Sequence, residues 1–372
     1  MEKMFRVIIT ALLFAPSCFG EEAFADFADT EVGKRITKDI TTVIDLEDSA
    51  QLEGFKNFEI VDDGKIVSFT DGSLEDVVKE VENKLPAIKD KTFNPLKDKS
   101  YMRCVKVKEI KNVYLCLFKN RKPMNWAFNG ASEYIEGNLF LNHRQEFGNA
   151  PVYKYQNTEN NNYKFSDLRS IVIGGYNKWS GHDIQGKDWI RFMNDYGKLS
   201  LKDKPKSRRG RAAMAIKRKF LYTFIAPKIE KYGENFVVLS AYVSSYDKKP
   251  KRYPSIIAHE ALHAQFFMDK RIRQAVSAYM AKVQRENPED IKLFVDEMVK
   301  IYFAISEDTY LRDNEWWAMM FDSDPESEKK KGKLKGRHAL VPKHHDKMLK
   351  FIKNYNGWGL RPMQVKCERD KK

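Results

Sequence analysis

The sequence predicts an α+β protein, strands first and helices after. Three observations carry this reading. Short β-branched and aromatic runs bounded by turn residues fill much of residues 58–118. Apolar residues at helical spacing dominate from about residue 208 onward. Between them Phe236–Ser244, another β-branched and aromatic run, stands directly ahead of a helical pattern. At 372 residues the chain suits one large domain or two modest ones. Its 42% hydrophobic content, with 24 Phe, 17 Tyr and 6 Trp, excludes a disordered chain, because that much apolar surface offsets the entropy of ordering. With 19 Gly and 13 Pro it is not collagen-like or linker-dominated either.

The N-terminus follows a different rule. Lys3 and Arg6 precede the apolar run Val7–Ala15, and small residues then lead to Glu21 and Glu22. This is the layout of a secretory signal peptide, too short to span a bilayer, with cleavage expected after Gly20 or Ala25. Cys18 raises lipid modification as another option, although Ala15-Pro16-Ser17 matches a lipobox poorly. No later segment reaches the length of an apolar span, so no transmembrane helix is expected in the mature chain. The expected organisation is a signal peptide over 1–25, an α+β accessory domain or prodomain over 26–120, and a main domain over 121–372. The expected location is secreted, periplasmic or at the cell envelope.

Within the first unit, Phe58–Thr70 reads as a hairpin around Asp63-Gly64. Ser73 with Asp76 resembles a capping box opening a helix through about Leu85. Residues 101–118 read as a second hairpin, and a turn centred on Ile110 would set Cys104 opposite Cys116 on one face. A disulfide and two ordinary thiols both fit that register, and Cys367 in the basic tail is left over. Lys119–Pro123, charged and ending in proline, is the expected boundary. Residues 156–163 form a polar loop, and helices are expected over about 208–231, 254–272, 287–304, 311–321 and 343–354.

The chemistry concentrates in His259-Glu260-Ala261-Leu262-His263, an HExxH motif. On a helix its histidines project about 40° apart and one turn along the axis, so both imidazoles reach one metal ion. Glu260 stands beside them, where its carboxylate can take a proton from a metal-activated water. Zinc suits this set, since its catalytic sites use three protein ligands and leave one position open. Pro254 fits a first turn, and Ile256, Ile257, Ala261 and Leu262 supply apolar positions.

Two residues compete for the third ligand. Asp269 stands where a metzincin has its third histidine, but Phe266 replaces the glycine that would break the helix, so the helix should continue and turn Asp269 away. Glu315, 52 residues beyond His263, lies in Arg312–Phe321, and Asn314-Glu315 with Ala318 one turn on resembles the glutamate helix of the thermolysin-like gluzincins. The order of motifs over about 236–352 also resembles the secreted gluzincins that include the catalytic domain of anthrax lethal factor. The resemblance implies a zincin-like domain with a mixed sheet, an HExxH helix and a helical C-terminal part. It further implies Zn²⁺ held by His259, His263 and Glu315, with Glu260 as general base in peptide-bond hydrolysis. Small Ala318 would let the two metal helices approach closely. Met319 occupies the position where the family has an aspartate orienting a ligand histidine, so Asp322 or Asp313 would have to supply that acceptor. In that family a tyrosine just before the glutamate helix assists the transition state, and Tyr310 is the nearest here, at a different spacing from Glu315. An edge strand before the active-site helix binds extended substrate in zincins, which gives Phe236–Ser244 either that role or a core one.

The remaining features are less directive. His338, His344 and His345 are expected to be exposed, one of them able to reach an oxyanion. Lys202–Arg211 and Lys329–Arg337 supply much of the net charge of +14. They suit a solvated surface, contact with an anionic surface, or processing at Arg208-Arg209-Gly210-Arg211. The expected partner is a protein or peptide substrate, a peptidoglycan peptide included, and not nucleic acid. The alternative function is a non-catalytic zinc-binding or envelope-binding protein on the same scaffold, suggested by Met319.

Overall fold

The structure, a computed structural model, describes residues 49–86, 88–89, 91–144, 181–198, 207–243, 253–299, 305, 308–322 and 336–365, with backbone only at 133–144, 194–198 and 337. The signal-peptide pattern, Cys18, the 156–163 loop, Cys367 and most of the basic run at 329–337 lie outside the described residues.

A mixed sheet organises the fold. Its strands are β1 (Phe58–Val61), β2 (Ile66–Val67), β3 (Ser100–Val107), β4 (Val113–Phe118), β5 (Gly181–Gln185) and β6 (Val237–Tyr242). They run in the order β1-β3-β4-β6-β5, with β2 also beside β3. The β3–β4 hairpin matches the sequence reading: Cys104 pairs with Cys116 across the antiparallel ladder, and the two form a disulfide. Phe58–Thr70 is not a hairpin, however. β1 and β2 both pair in parallel with β3, Phe58 beside Ser100 and Ile66 beside Lys106. Phe58 is buried on one face of the sheet and Val67 on the other, an arrangement a free two-stranded ribbon cannot provide.

The expected break at 119–123 does not separate two sheets. Val113–Phe118 pairs in parallel with Val237–Tyr242 along all six residues, so strands from both sides of the break share one core. Helix α3 (Arg121–Arg144) simply begins there, with Pro123 in its first turn, where the missing N–H is harmless.

Both faces of the sheet are covered. One packs against α3, α4 (Gly186–Lys198) and the long helical stretch of α5 (Arg208–Phe220), a π-turn at Leu221–Ile225, and α6 (Ala226–Tyr232), with the first helix, α1 (Ser49–Lys56), lying against α5. Phe128, Trp189, Phe220 and Phe224 fill this side. The arginines of the expected processing site lie in the first turn of α5, which Ser207 caps by accepting from Gly210 N. The opposite face packs against α2 (Ser73–Lys84) and α7 (Tyr253–Met268). Helix α2 starts where expected, but Gly72 is its N-cap and the Ser73 hydroxyl accepts from Ser68 N instead. Beyond α7 lies a helical layer of α8 (Lys270–Glu286), α9 (Pro288–Met298), α10 (Thr309–Phe321) and α11 (Val341–Asn354). Among the described residues no helix is long and apolar enough to cross a membrane.

Helix α7 is therefore buried on two sides. Ile257, Ala261 and Ala264 meet the sheet, while Leu262 and Phe266 meet the outer helices. Of the two roles open to Phe236–Ser244, the core one holds, because β6 is interior between β4 and β5. The edge beside α7 is β5, which pairs antiparallel with β6.

β5 also carries His182, buried on the face away from α7. Its Nδ1 lies 2.8 Å from Ser132 Oγ, its Nε2 3.3 Å from Asn125 Oδ1, and its ring stacks on Phe128. Burial, reinforced by the Arg121 charge, pushes its pKa down to about 3. The unfolded chain protonates this histidine below about 6.5 and the folded chain does not, so stability falls as pH drops from about 6.5 toward 3. His182→Gln should flatten that fall. Between pH 7 and pH 4.5 wild type should lose roughly 2–3 kcal/mol more than the variant, measured by urea unfolding. Parallel pH profiles would contradict the assignment.

Candidate metal centre

Helix α7 brings the motif histidines to one side. His259 Nε2 and His263 Nε2 face each other at 3.0 Å, with their rings nearly perpendicular. Glu315 arrives from α10, its Oε1 3.9 Å from His263 Nε2. Ligand atoms of His259, His263 and Glu315 all lie within 4.8 Å of one another. Two nitrogens on one tetrahedral zinc, each 2.0–2.1 Å from the ion, would sit about 3.3 Å apart, so the donor set fits such an ion. Fully buried Ala318 and the bond from Trp317 Nε1 to Leu262 O, 3.0 Å, hold α10 close against α7. The close approach expected from a small residue at 318 is thus present.

The acceptor for the first histidine is Asp322, one of the two expected to replace the residue at 319. Its Oδ2 lies 2.8 Å from His259 Nδ1. The carboxylate stands just past the end of α10, where Asp322 N bonds Ala318 O. Asp313, the other candidate, is occupied elsewhere, taking bonds from Ser277 Oγ and the Arg312 guanidinium. Met319 is buried among the outer helices.

Glu260 is buried against the edge strand. A β-carbon at Gly181 would collide with Glu260 Oε1 and with Ile256 Cγ2, so β5 and α7 approach this closely only because residue 181 is glycine. Burial first, and then the charges of Asp183, Glu315 and Asp322, raise the proton affinity of Glu260 well above the ordinary carboxylate range. Asp183, two residues along β5, is raised mainly by its own burial. Its carboxylate, Glu260 and His263 form a second close group, with ligand atoms within 4.8 Å of one another.

Asp269 is not part of this arrangement. Helix α7 ends at Met268 rather than continuing, and Asp269 becomes the N-cap of α8, accepting from Arg271 N and pairing with the Arg271 guanidinium. A side-chain cap supplied by aspartate, and not a glycine, ends the helix. Tyr310 sits in the first turn of α10 with Phe267 between it and His263: Phe267 stacks on His263 at 6.3 Å and on Tyr310 at 6.3 Å. Among the downstream histidines, His338 is exposed as expected, but His344 is buried. Tyr279 OH lies 3.0 Å from His344 Nδ1 and Asp290 Oδ2 lies 2.8 Å from Nε2, which ties α8, α9 and α11 together.

Sequence reading missed β5, and with it Asp183. GHDIQ offers one β-branched residue and no turn signal, so nothing in its pattern marks a strand. Comparison with known proteins found no family model, no curated protein and no solved structure that matches this chain.

Zinc stoichiometry separates the two sequence candidates. Wild type and Asp269→Ala should each bind one zinc per chain, while Glu315→Ala should lose tight binding, read by metal analysis after dialysis. Retention in Glu315→Ala with loss in Asp269→Ala would reverse the ligand assignment.

Proposed function

We propose that the protein is a zinc-dependent peptidase exported from the cytoplasm, with His259, His263 and Glu315 as ligands and Glu260 as general base. The convergence of those three ligand atoms within 4.8 Å carries this reading. Two imidazoles and one carboxylate are a catalytic zinc set that leaves a position for substrate or water. Bound zinc supplies Lewis acidity, polarising a scissile carbonyl and lowering the pKa of water.

The chain's own residues supply the rest. Asp322 accepts the Nδ1 proton of His259, which leaves the Nε2 lone pair pointing into the site. Glu260 is held out of bulk water with its proton affinity raised. A base tuned upward takes a proton during attack and returns it to the departing amine. The first group to raise that affinity is burial, so the carboxylate is shielded from competing solvent as it works.

Substrate binding is proposed for β5 and not for β6. β5 pairs with β6 on one side, and among the described residues no strand lies on its other side. An extended peptide can add there through main-chain hydrogen bonds, next to Glu260. Export rests on the N-terminal pattern and on the Cys104–Cys116 disulfide, since such bonds persist in oxidising compartments. The alternative, a non-catalytic zinc-binding or envelope-binding protein, drew on the missing aspartate at 319, and the Asp322–His259 contact supports the catalytic reading instead.

Glu260→Gln keeps the shape of the site and removes the base. It should bind one zinc per chain and lose about 10²–10⁴-fold in turnover on an unfolded protein or peptide-library substrate. Wild-type turnover in this variant would sink the proposed mechanism.

A further inference from the structure

His259 has its carboxylate partner, but His263 does not have a matching one in bonding contact. The His263 side chain is 2% exposed, and its Nδ1 is a buried polar atom with no hydrogen-bond partner. An unsatisfied buried nitrogen is unfavourable, so one beside a candidate metal ligand set calls for an explanation. Stacking on Phe267 fixes the plane of the ring, and therefore fixes the direction in which Nδ1 points. The Asp183 carboxylate stands close by, with Oδ2 3.8 Å from Nδ1.

We propose that Asp183, on the edge strand, is the positioning residue for His263: it accepts the Nδ1 proton and commits Nε2 to the metal. This rests on the zinc-site reading above. At 3.8 Å the pair is about 1 Å beyond a charge-assisted hydrogen bond. The bond would form on a shift of about 1 Å between the two side chains. Metal at Nε2 withdraws electron density from the ring and makes the Nδ1 proton a better donor, so the bond tightens on loading. The strand can deliver this side chain because Gly181 lets its backbone lie against Glu260 and Ile256, and because alternation along β5 turns Asp183 toward α7 while His182 faces the other side. The two ligand histidines are then oriented from opposite directions, His259 by the end of α10 and His263 by the sheet. Glu260 is the other carboxylate in the same close group, and the mechanism reserves it as the base. Asn314, which directly precedes Glu315, carries a second buried oxygen with no partner, an uncharged and so weaker acceptor.

The test compares wild type with Asp183→Ala, Asp183→Asn and Asn314→Ala by zinc competition against a chromophoric chelator. Asp183→Ala should still take one zinc per chain at saturation, with affinity about 10–100-fold weaker. Asp183→Asn, nearly isosteric and so safe against misfolding, should lose less because its amide oxygen still accepts. A purely structural role would not alter the second readout, the imidazole N–H spectrum of the zinc-loaded protein. Wild type should show a His263 Nδ1 proton shifted downfield, and Asp183→Ala should lose that shift. Wild-type affinity and an unmoved ring proton in both Asp183 variants would overturn the assignment, and loss confined to Asn314→Ala would transfer the role to Asn314. Failure of the wild type to bind zinc would instead remove the metal centre itself, a separately readable result.

Discussion

Helix α7 carries two histidines and a glutamate, yet apolar residues pack it on two sides. The sheet claims Ile257, Ala261 and Ala264, and the outer helices claim Leu262 and Phe266. Polar groups on such a helix are taken from water by packing they do not control, and burial without partners is unfavourable by several kcal/mol for ionisable groups. Neighbouring elements must therefore bring acceptors, donors or a cation to the buried stripe. The positions of α10, of Asp322 just beyond it, and of β5 on the opposite side all answer that requirement.

The sign of the charge in this region is equally constraining. Asp183, Glu260, Glu315 and Asp322 crowd around two imidazoles, and the proton affinity of Glu260 is raised by three of its neighbours as well as by burial. Carboxylates this close repel one another unless protons or a cation intervene. A chain with a net charge of +14 thus holds a locally acidic cluster where α7, α10 and β5 meet. Repulsion of this kind is unfavourable for an empty site and favourable for a divalent ion, which is the balance a metal centre needs.

The sheet plays two parts. Its interior strands hold the disulfide-linked β3–β4 hairpin and bury aromatic residues on one side, which makes a rigid platform. Its edge strand is short, and its alternate residues face different cores: His182 enters the aromatic side, while Asp183 and Gly181 meet α7. A single strand is thereby shared between the aromatic core on one face and the candidate metal centre on the other. Catalytic geometry improves when supporting groups come from such rigid elements.

Much of the site was legible in the residues alone. HExxH implies a helix with two imidazoles on one side, because helical periodicity is local and four residues make one turn. Asn314-Glu315 and Ala318 pointed to the second helix, and register alone allowed the Cys104–Cys116 pair, since Ile110 lies at the midpoint between them. What misled were features decided at a distance. Phe58–Thr70 looked like its own hairpin, yet both strands belong to β3, and the choice depends on which face of a distant strand buries Phe58 and Val67. Asp269 resembled a ligand by spacing, but capping of the next helix took its carboxylate. His344 looked exposed in a lysine-rich stretch until α8 and α9 closed over it with Tyr279 and Asp290. The sequence by itself determined the local periods of the C-terminal half: where most of its helices run, which candidate ligand types they carry, and how far apart those lie along a turn. Only the tertiary structure decided which strand is the edge, that residues on both sides of 119–123 share one sheet, and that Asp183 and Asp322 meet the histidines. Those outcomes depend on contacts between residues tens of positions apart, whose pairing is set by the burial of whole faces and leaves no local pattern to read.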